Sequence, residues 1–218
     1  MTAITPDLLL YAYTQGIFPM AEGPGADDIF WVEPEQRGIF PIDSFHVPRS
    51  LARTIRRGLF DIKIDTDFDK VIRQCAAINI SKGRAETWIN DEIIRLYSTL
   101  FQQGHVHTVE CWQDDRMVGG LYGVSVGGAF CGESMFHTVT DASKVALVYL
   151  LARLKVGGYS LLDAQFITPH LSRFGAIEIP RMVYRNRLQE ALRTKGDFHL
   201  LSLDESPETV LQLTTQMS

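Results

Sequence analysis

The chemistry this chain can perform is concentrated in a few short stretches. In Leu161-Leu162-Asp163-Ala164-Gln165-Phe166 a carboxylate and a carboxamide stand two residues apart. On a strand, side chains alternate, so both face one way. The remaining positions are mostly apolar, as in a buried strand, and a carboxylate there must be hydrogen-bonded to be tolerated. The Gln165 amide N–H can supply that bond, leaving its carbonyl oxygen to accept one from a substrate. The same residues can equally be a structural Asp–Gln pair closing a strand end. Glu133, in Phe130-Cys131-Gly132-Glu133-Ser134-Met135-Phe136, is another acid in an aromatic-rich segment, next to a glycine that lets something approach the backbone. The plainer reading of Glu133 is an exposed strand-end glutamate.

A different chemistry is offered by Pro48–Arg57. At 100° per residue, Arg49, Arg53, Arg56 and Arg57 fall in one stripe, with Leu51 and Ile55 facing the other way. No acidic residue interrupts them, so no i,i+4 partner neutralises the stripe. A solvated helix face is one reading. A phosphate backbone is the sharper one, because the guanidinium fork donates two bonds at once.

Other stretches exclude chemistries. His105 and His107 form an HxH without a third ligand at a recognisable spacing, which leaves metal unexpected. Ser134 and Ser143 lack a GxSxG elbow, and no Walker A or Rossmann glycine fingerprint is present. Gly119-Gly120 and Gly127-Gly128 fit hairpin geometry, and Trp88 reads as a core anchor ahead of a helix.

These residues need elements to hold them. Gly and Pro punctuate the first forty residues, which predicts a small loop-rich cap with one helix near Pro6–Gln15. Helices are predicted over Pro48–Arg57, Phe68–Ala77, Asn90–Gln103, Asp141–Val156 and Pro180 to Arg193, with a helical turn at His170–Phe174. Strands are predicted over Phe60–Asp65, His107–Gln113, Arg116–Val126, Ala129–Phe136 and Ser160–Ile167. The order implies an α+β fold with a mixed sheet, divided into a small N-terminal domain, 1–41, and a larger one, 42–218.

Bulk properties bound the partners. The 218 residues are 45% hydrophobic and 22% charged, as in an ordinary globular protein. No apolar run approaches a membrane span. The N-terminus lacks a secretion signal, and three widely separated cysteines fit a reducing cytoplasm better than a disulfide framework. With a net charge of −5, nucleic acid has to bind a local patch.

Gly16-Ile17-Phe18-Pro19, Thr87-Trp88-Ile89, Gly119-Gly120-Leu121-Tyr122-Gly123-Val124 and the segment Phe130–Phe136 occur in that order. Ala142-Ser143-Lys144, Asp163-Ala164-Gln165 and Gly175-Ala176-Ile177-Glu178-Ile179-Pro180-Arg181 follow. This ordered set resembles the bacterial leucyl/phenylalanyl-tRNA–protein transferases from about Leu8 to Leu192. The resemblance implies an acetyltransferase-like (GNAT) sheet and transfer of Leu, Phe or Met from aminoacyl-tRNA to proteins beginning with Arg or Lys. The product would be marked for N-end-rule degradation.

The resemblance also implies that Asp163, Gln165 and Glu133 form the reacting site, with Trp88, Leu121, Gly132, Leu150, Leu154 and Leu162 around the aminoacyl side chain. The arginines of Pro48–Arg57 would face tRNA, and no cofactor, metal or membrane is implied. Compared with longer members the cap would be shortened. Met20 stands where many have Trp, and Leu150 and Leu154 stand where a familiar member has Phe, which implies a softer pocket.

The chemistry is aminolysis of an ester by an amine with a pKa near 8, for which a strong base is not needed. Gln165 is expected to accept a hydrogen bond from the amine. Asp163 is expected to orient the Gln165 amide and to stabilise charge developing on the nitrogen. Glu133 is expected to favour a cationic acceptor. The rivals are an acyl-CoA-dependent N-acetyltransferase and a non-catalytic tRNA-binding protein. Against the first, His137-Thr138-Val139-Thr140-Asp141-Ala142 has no glycine and places an acid where pyrophosphate would sit. Against the second, the tRNA binder leaves Asp163, Gln165 and Glu133 without a purpose.

Overall fold

The computed structural model describes residues 4–23, 29–81 and 88–215; Thr87 of the Thr87-Trp88-Ile89 motif lies outside them. The elements are α1 (Pro6–Thr14), β1 (Phe18–Ala21), β2 (Ile29–Val32), β3 (Gln36–Phe40), a 3-10 turn (Ile42–Ser44), α2 (Arg49–Arg56), β4 (Asp61–Ile64), α3 (Phe68–Ser81) and α4 (Asp91–Gln102). They continue with β5 (Val106–Gln113), β6 (Arg116–Val126), β7 (Ala129–His137), α5 (Ala142–Val156), β8 (Leu161–Gln165), α6 (Pro169–Ser172), β9 (Ile177–Pro180), α7 (Arg181–Ala191) and α8 (Pro207–Thr215).

Local chemistry sets many of these boundaries. Thr5 caps α1 through its hydroxyl to Leu8 N–H, and Pro6 occupies the first helical position, where its missing N–H costs nothing. Asn90 caps α4 through Ile93 N–H at 2.8 Å. Asp114 and Asp115, both with positive φ, make the tight turn between β5 and β6.

The large sheet has the order β4-β5-β6-β7-β8-β3-β9. Every adjacent pair is antiparallel except β7 and β8, which are parallel. That pairing runs from Ala129/Leu161 to Cys131/Asp163 and stops, although β7 continues to His137. The mixed α+β sheet expected from the sequence is therefore present.

Alternation along the strands feeds two cores on opposite faces. Phe130, Leu121 and Leu162 join Leu51, Ile55 and the α5 side chains Leu147, Leu150, Leu151 and Leu154 on one face. Cys131, Tyr122 and Phe136 join Leu9 and Tyr13 of α1, Val71 and Ile72 of α3, and Ile93 and Tyr97 of α4 on the other. The α5 helix is apolar nearly all round because α2 and α8 pack on it as well as the sheet.

Two differences from the sequence reading concern the site. The first forty residues are more structured than a loop-rich cap, with β1 and β2 forming an antiparallel pair. More important, β3 lies ahead of the division expected at residue 41 yet is an inner strand of the large sheet, between β8 and β9. Its Pro and Gly punctuation disguised it. Gly38 is needed because a Cβ there would come within 2.9 Å of Ile167 and 3.0 Å of the Phe166 carbonyl carbon, where the register shifts by a bulge.

Candidate active site

Asp163 and Gln165 end β8. Asp163 is 0% exposed, and its carboxylate is met by a residue the sequence reading passed over, Arg37 of β3. Arg37 Nε donates to Oδ1 at 2.9 Å and Nη2 donates to Oδ2 at 2.6 Å. Tyr184 of α7 donates its hydroxyl to Oδ2 at 2.8 Å. The guanidinium lies between the rings of Phe18 and Tyr184, 4.6 and 4.4 Å from their centroids, and donates through Nη1 to Gly16 O at 3.0 Å. Burial pulls the Arg37 pKa down, but Asp163 more than offsets it and the net shift is upward.

The Asp163 carboxylate also accepts the backbone N–H of Gln165 at 2.8 Å. Gln165 has φ +61, a left-handed conformation that costs a residue with a side chain about 1 kcal/mol or more. Asp163 stabilises that turn from within, and the strand ends there.

This corrects the expected role of Asp163. It holds the backbone of Gln165, not its amide group. The amide is held by Glu133, whose Oε1 accepts from Gln165 Nε2 at 2.9 Å. With Nε2 engaged in this way, the Gln165 carbonyl oxygen is left for another partner. Charge stabilisation by Asp163 is also curtailed, since Arg37 neutralises it at hydrogen-bond distance.

Glu133 is buried, not an exposed strand end. Oε1 accepts from Tyr13 Oη at 2.8 Å and Oε2 from Tyr97 Oη at 3.2 Å, and the two tyrosine hydroxyls contact each other. Burial raises its pKa to about 7; the Tyr13 and Gln165 hydrogen bonds limit the rise. A group half-protonated near neutrality is a weak lure for cations and a strong anchor for an amide. Among the described residues, Tyr122 Oη is buried without a hydrogen-bond partner, and the charge of Glu133 is one of the influences that raise the Tyr122 pKa.

Gln165 also borders a small cavity with Phe18, Pro19, Met20, Trp88 and Phe166. The amide that Glu133 orients thus lines an apolar recess.

The family model described as leucyl/phenylalanyl-tRNA protein transferase matches residues 39–189, and that of its N-terminal domain matches residues 2–35. A leucyl/phenylalanyl-tRNA–protein transferase of Caulobacter vibrioides is 52% identical over 99% of both chains. One from Nitrobacter winogradskyi is 57% identical over 92% of this chain and 88% of its own. The chain belongs to the leucyl/phenylalanyl-tRNA–protein transferase family. It is an aminoacyltransferase. A solved structure, L-PGS from Bacillus licheniformis, is similar over 74% of this chain and 53% of its own, at 13% identity and a TM-score of 0.39, too remote to argue from.

In this transferase the other expected site residues fall into separate places. Gly132 lies beside β8, where a Cβ would make an ordinary 3.4 Å contact with Asp163 O. Trp88 lies by Gln165, but Leu121, Leu150, Leu154 and Leu162 are buried on the opposite face, between the sheet and α5. Leu162 and Asp163 are consecutive on a strand and must point apart, so the six residues do not line one open pocket.

Arg49, Arg53, Arg56 and Arg57 are exposed on α2 with Leu51 and Ile55 buried beneath, as predicted. An acid does reach the stripe from α8: Glu208 accepts from Arg56 Nε at 3.0 Å. Both side chains are more than half exposed, so the pair contributes little. Burial raises the pKa values of Cys75 and Cys111 to about 12 and pushes that of Cys131 up as well, which leaves the transferase no thiolate nucleophile.

Of the site's main residues, Arg37, Tyr184, Tyr13 and Tyr97 were missed. The only sequence signal was an arginine in a Gly/Pro-rich stretch and tyrosines on the inner faces of three helices.

Proposed function

We propose that this chain transfers Leu, Phe or Met from aminoacyl-tRNA to the α-amino group of proteins beginning with Arg or Lys, in the cytoplasm, marking them for N-end-rule degradation. The observation that carries this reading is Gln165, whose backbone N–H is held by Asp163 and whose side-chain Nε2 is held by Glu133, at the edge of an apolar recess. An amide carbonyl oxygen held in that way accepts a hydrogen bond from an incoming amine and aligns its lone pair on an ester carbonyl.

The acceptor nitrogen, with a pKa near 8, is partly neutral in the cytoplasm. It bonds to the carbonyl carbon, the bond from that carbon to the ribose oxygen breaks, and the proton passes from nitrogen to the departing oxygen directly or through water. Gln165 holds the attacking N–H in line, too weakly basic to keep its proton. Asp163 and Arg37 act as a neutral clamp that keeps Gln165 in its left-handed turn. Glu133 keeps the amide from flipping.

The aminoacyl side chain enters beside Gln165 between Trp88, Phe18 and Met20. For it to reach Leu162, Leu150 and Leu154, packed on the other face of the sheet, the gap where β7 and β8 stop pairing would have to open, with Gly132 and Leu121 at its margin. The arginines of α2 take the phosphates of the acceptor arm. The parallel pair that parts beyond Cys131 and Asp163 supports the acetyltransferase-like reading of the sheet. The start of α5 speaks against CoA: Asp141 stands there with its carboxylate 2.7 Å from Lys144 Nζ, where a pyrophosphate would have to approach.

The test is incubation with labelled Leu-tRNA and a peptide beginning with Arg. Label should move to the peptide, should stop in Asp163→Ala, and should move about a hundredfold more slowly in Gln165→Ala, which keeps the Arg37–Asp163 pair. Turnover of acetyl-CoA in place of Leu-tRNA would overturn the assignment, and tRNA binding without transfer would reduce the chain to a binding protein.

A further inference from the structure

Far along the sheet from Gln165, one group of metal-type side chains comes together among the described residues: Asp65, His107 and His199, whose ligand atoms all lie within 4.8 Å of one another. We propose that these three residues form a binding site for a single divalent transition-metal ion, zinc in the first instance, which fastens the C-terminal segment to the sheet.

The carboxylate is set for this task. Asp65 closes the β4–α3 turn with φ +56, and its Oδ1 is occupied by the Thr108 backbone N–H at 2.6 Å. Oδ2 is left facing two imidazoles, His107 Nδ1 at 2.7 Å and His199 Nε2 at 3.3 Å. The His107 ring is fixed by face-to-face packing on Phe198, 4.2 Å between centroids. Fixing ligands from behind by hydrogen bonds and packing is the usual support of a metal centre.

His199 arrives from a different part of the chain. Its segment is tied down by Asp197 N–H to Gly157 O at 2.9 Å and by Arg153 Nη1 to the carbonyl oxygens of Phe198 and Leu201 at 2.8 and 2.9 Å.

Two imidazoles and one carboxylate, with water completing the set, suit zinc and its neighbours in the first transition row. Zinc bonds of about 2.0–2.2 Å place ligand atoms roughly 3.3 Å apart, close to the His199–Asp65 spacing. The side chains of Asp65 and His107 are 15% and 9% exposed and lie in a 2.7 Å hydrogen-bond contact that the ion must widen to ligate both, while that of His199 is 61% exposed and has room to close on the ion. The Arg153 guanidinium is near enough to interact with the Asp65 charge, which sets the affinity below that of an all-anionic site. His105, the other histidine of the HxH, is not part of the group.

The experiment uses the full chain stripped with a chelator and titrated with Zn2+ against a chromophoric chelator. Parallel thermal melts are recorded with and without zinc. The expected result is one equivalent of zinc bound and a raised melting midpoint. In His199→Ala, whose altered side chain is mostly in solvent, affinity should fall by about tenfold or more and the zinc-induced rise should vanish. Equal zinc binding by the parent and His199→Ala overturns the site, as does a parent chain that takes up no zinc. In either case the three residues are only a hydrogen-bonded pin for the C-terminal segment.

Discussion

Arg37 and Asp163 meet through paired hydrogen bonds of 2.9 and 2.6 Å, with side-chain exposures of 2% and 0%. Asp163 in turn holds the N–H of Gln165. The pair therefore links fold stability to the posture of the residue that meets the substrate, and the two effects can be separated experimentally.

Replacing Arg37 with Met keeps bulk between Phe18 and Tyr184 but strands the Asp163 charge. Breaking one side of a buried pair costs about 3–5 kcal/mol. Urea denaturation of Arg37→Met should show a loss in that range. Arg37→Lys should fall in between, because an ammonium cannot make the paired contact. A loss under about 1 kcal/mol would mean that water reaches the pair.

Glu133 sets a pH dependence of stability. Its folded pKa of about 7 lies above the unfolded value near 4.3, so between those values the folded chain binds a proton that the unfolded chain does not. The stabilisation from this group is fully present below pH 4.3 and is lost as pH rises through 7, amounting to about 4 kcal/mol at most. Thermal melts at pH 5.5 and 8 should show this decline in the parent and a shallower one in Glu133→Gln. Identical slopes would place the titration elsewhere.

Gln165→Ala should lower kcat by about a hundredfold with little change in KM for tRNA, as expected when alignment is lost and binding is kept. Gln165→Glu sets a second carboxylate against Glu133 at 2.9 Å, so the two would share a proton and the pH–rate profile should move upward. An unchanged profile and rate would dispose of the orienting role.

Binding of tRNA should depend on salt through α2. Replacing Arg49, Arg53 and Arg57 together with Ala should reduce the slope of log K against log salt by about 2, each arginine contributing roughly 0.7 to 0.9. Arg56→Ala should do less, since Glu208 already engages that guanidinium. Slopes measured by filter binding that match the parent would move the tRNA contact to another face.

Local periodicity and capping were enough to read α2, α4, β5 to β7 and α5 from the sequence, because those elements are defined by neighbours within a few residues. The same is true of the buried character of β8, the arginine stripe and the family motifs. Other features depend on contacts that span the chain. Arg37 is 126 residues from Asp163 and Tyr13 is 120 residues from Glu133. His199 reaches Asp65 only because its segment folds back over α5. A buried charge must find its counter-charge or donors wherever the sheet order places them. The insertion of β3 between β8 and β9, which the sequence does not announce, put Arg37 beside Asp163. The residue types for an amide-positioned transfer were legible from the chain alone. Tertiary structure decided that Asp163 holds the Gln165 backbone and Glu133 its amide, because only packing determines which buried donors lie within 3 Å of which acceptor.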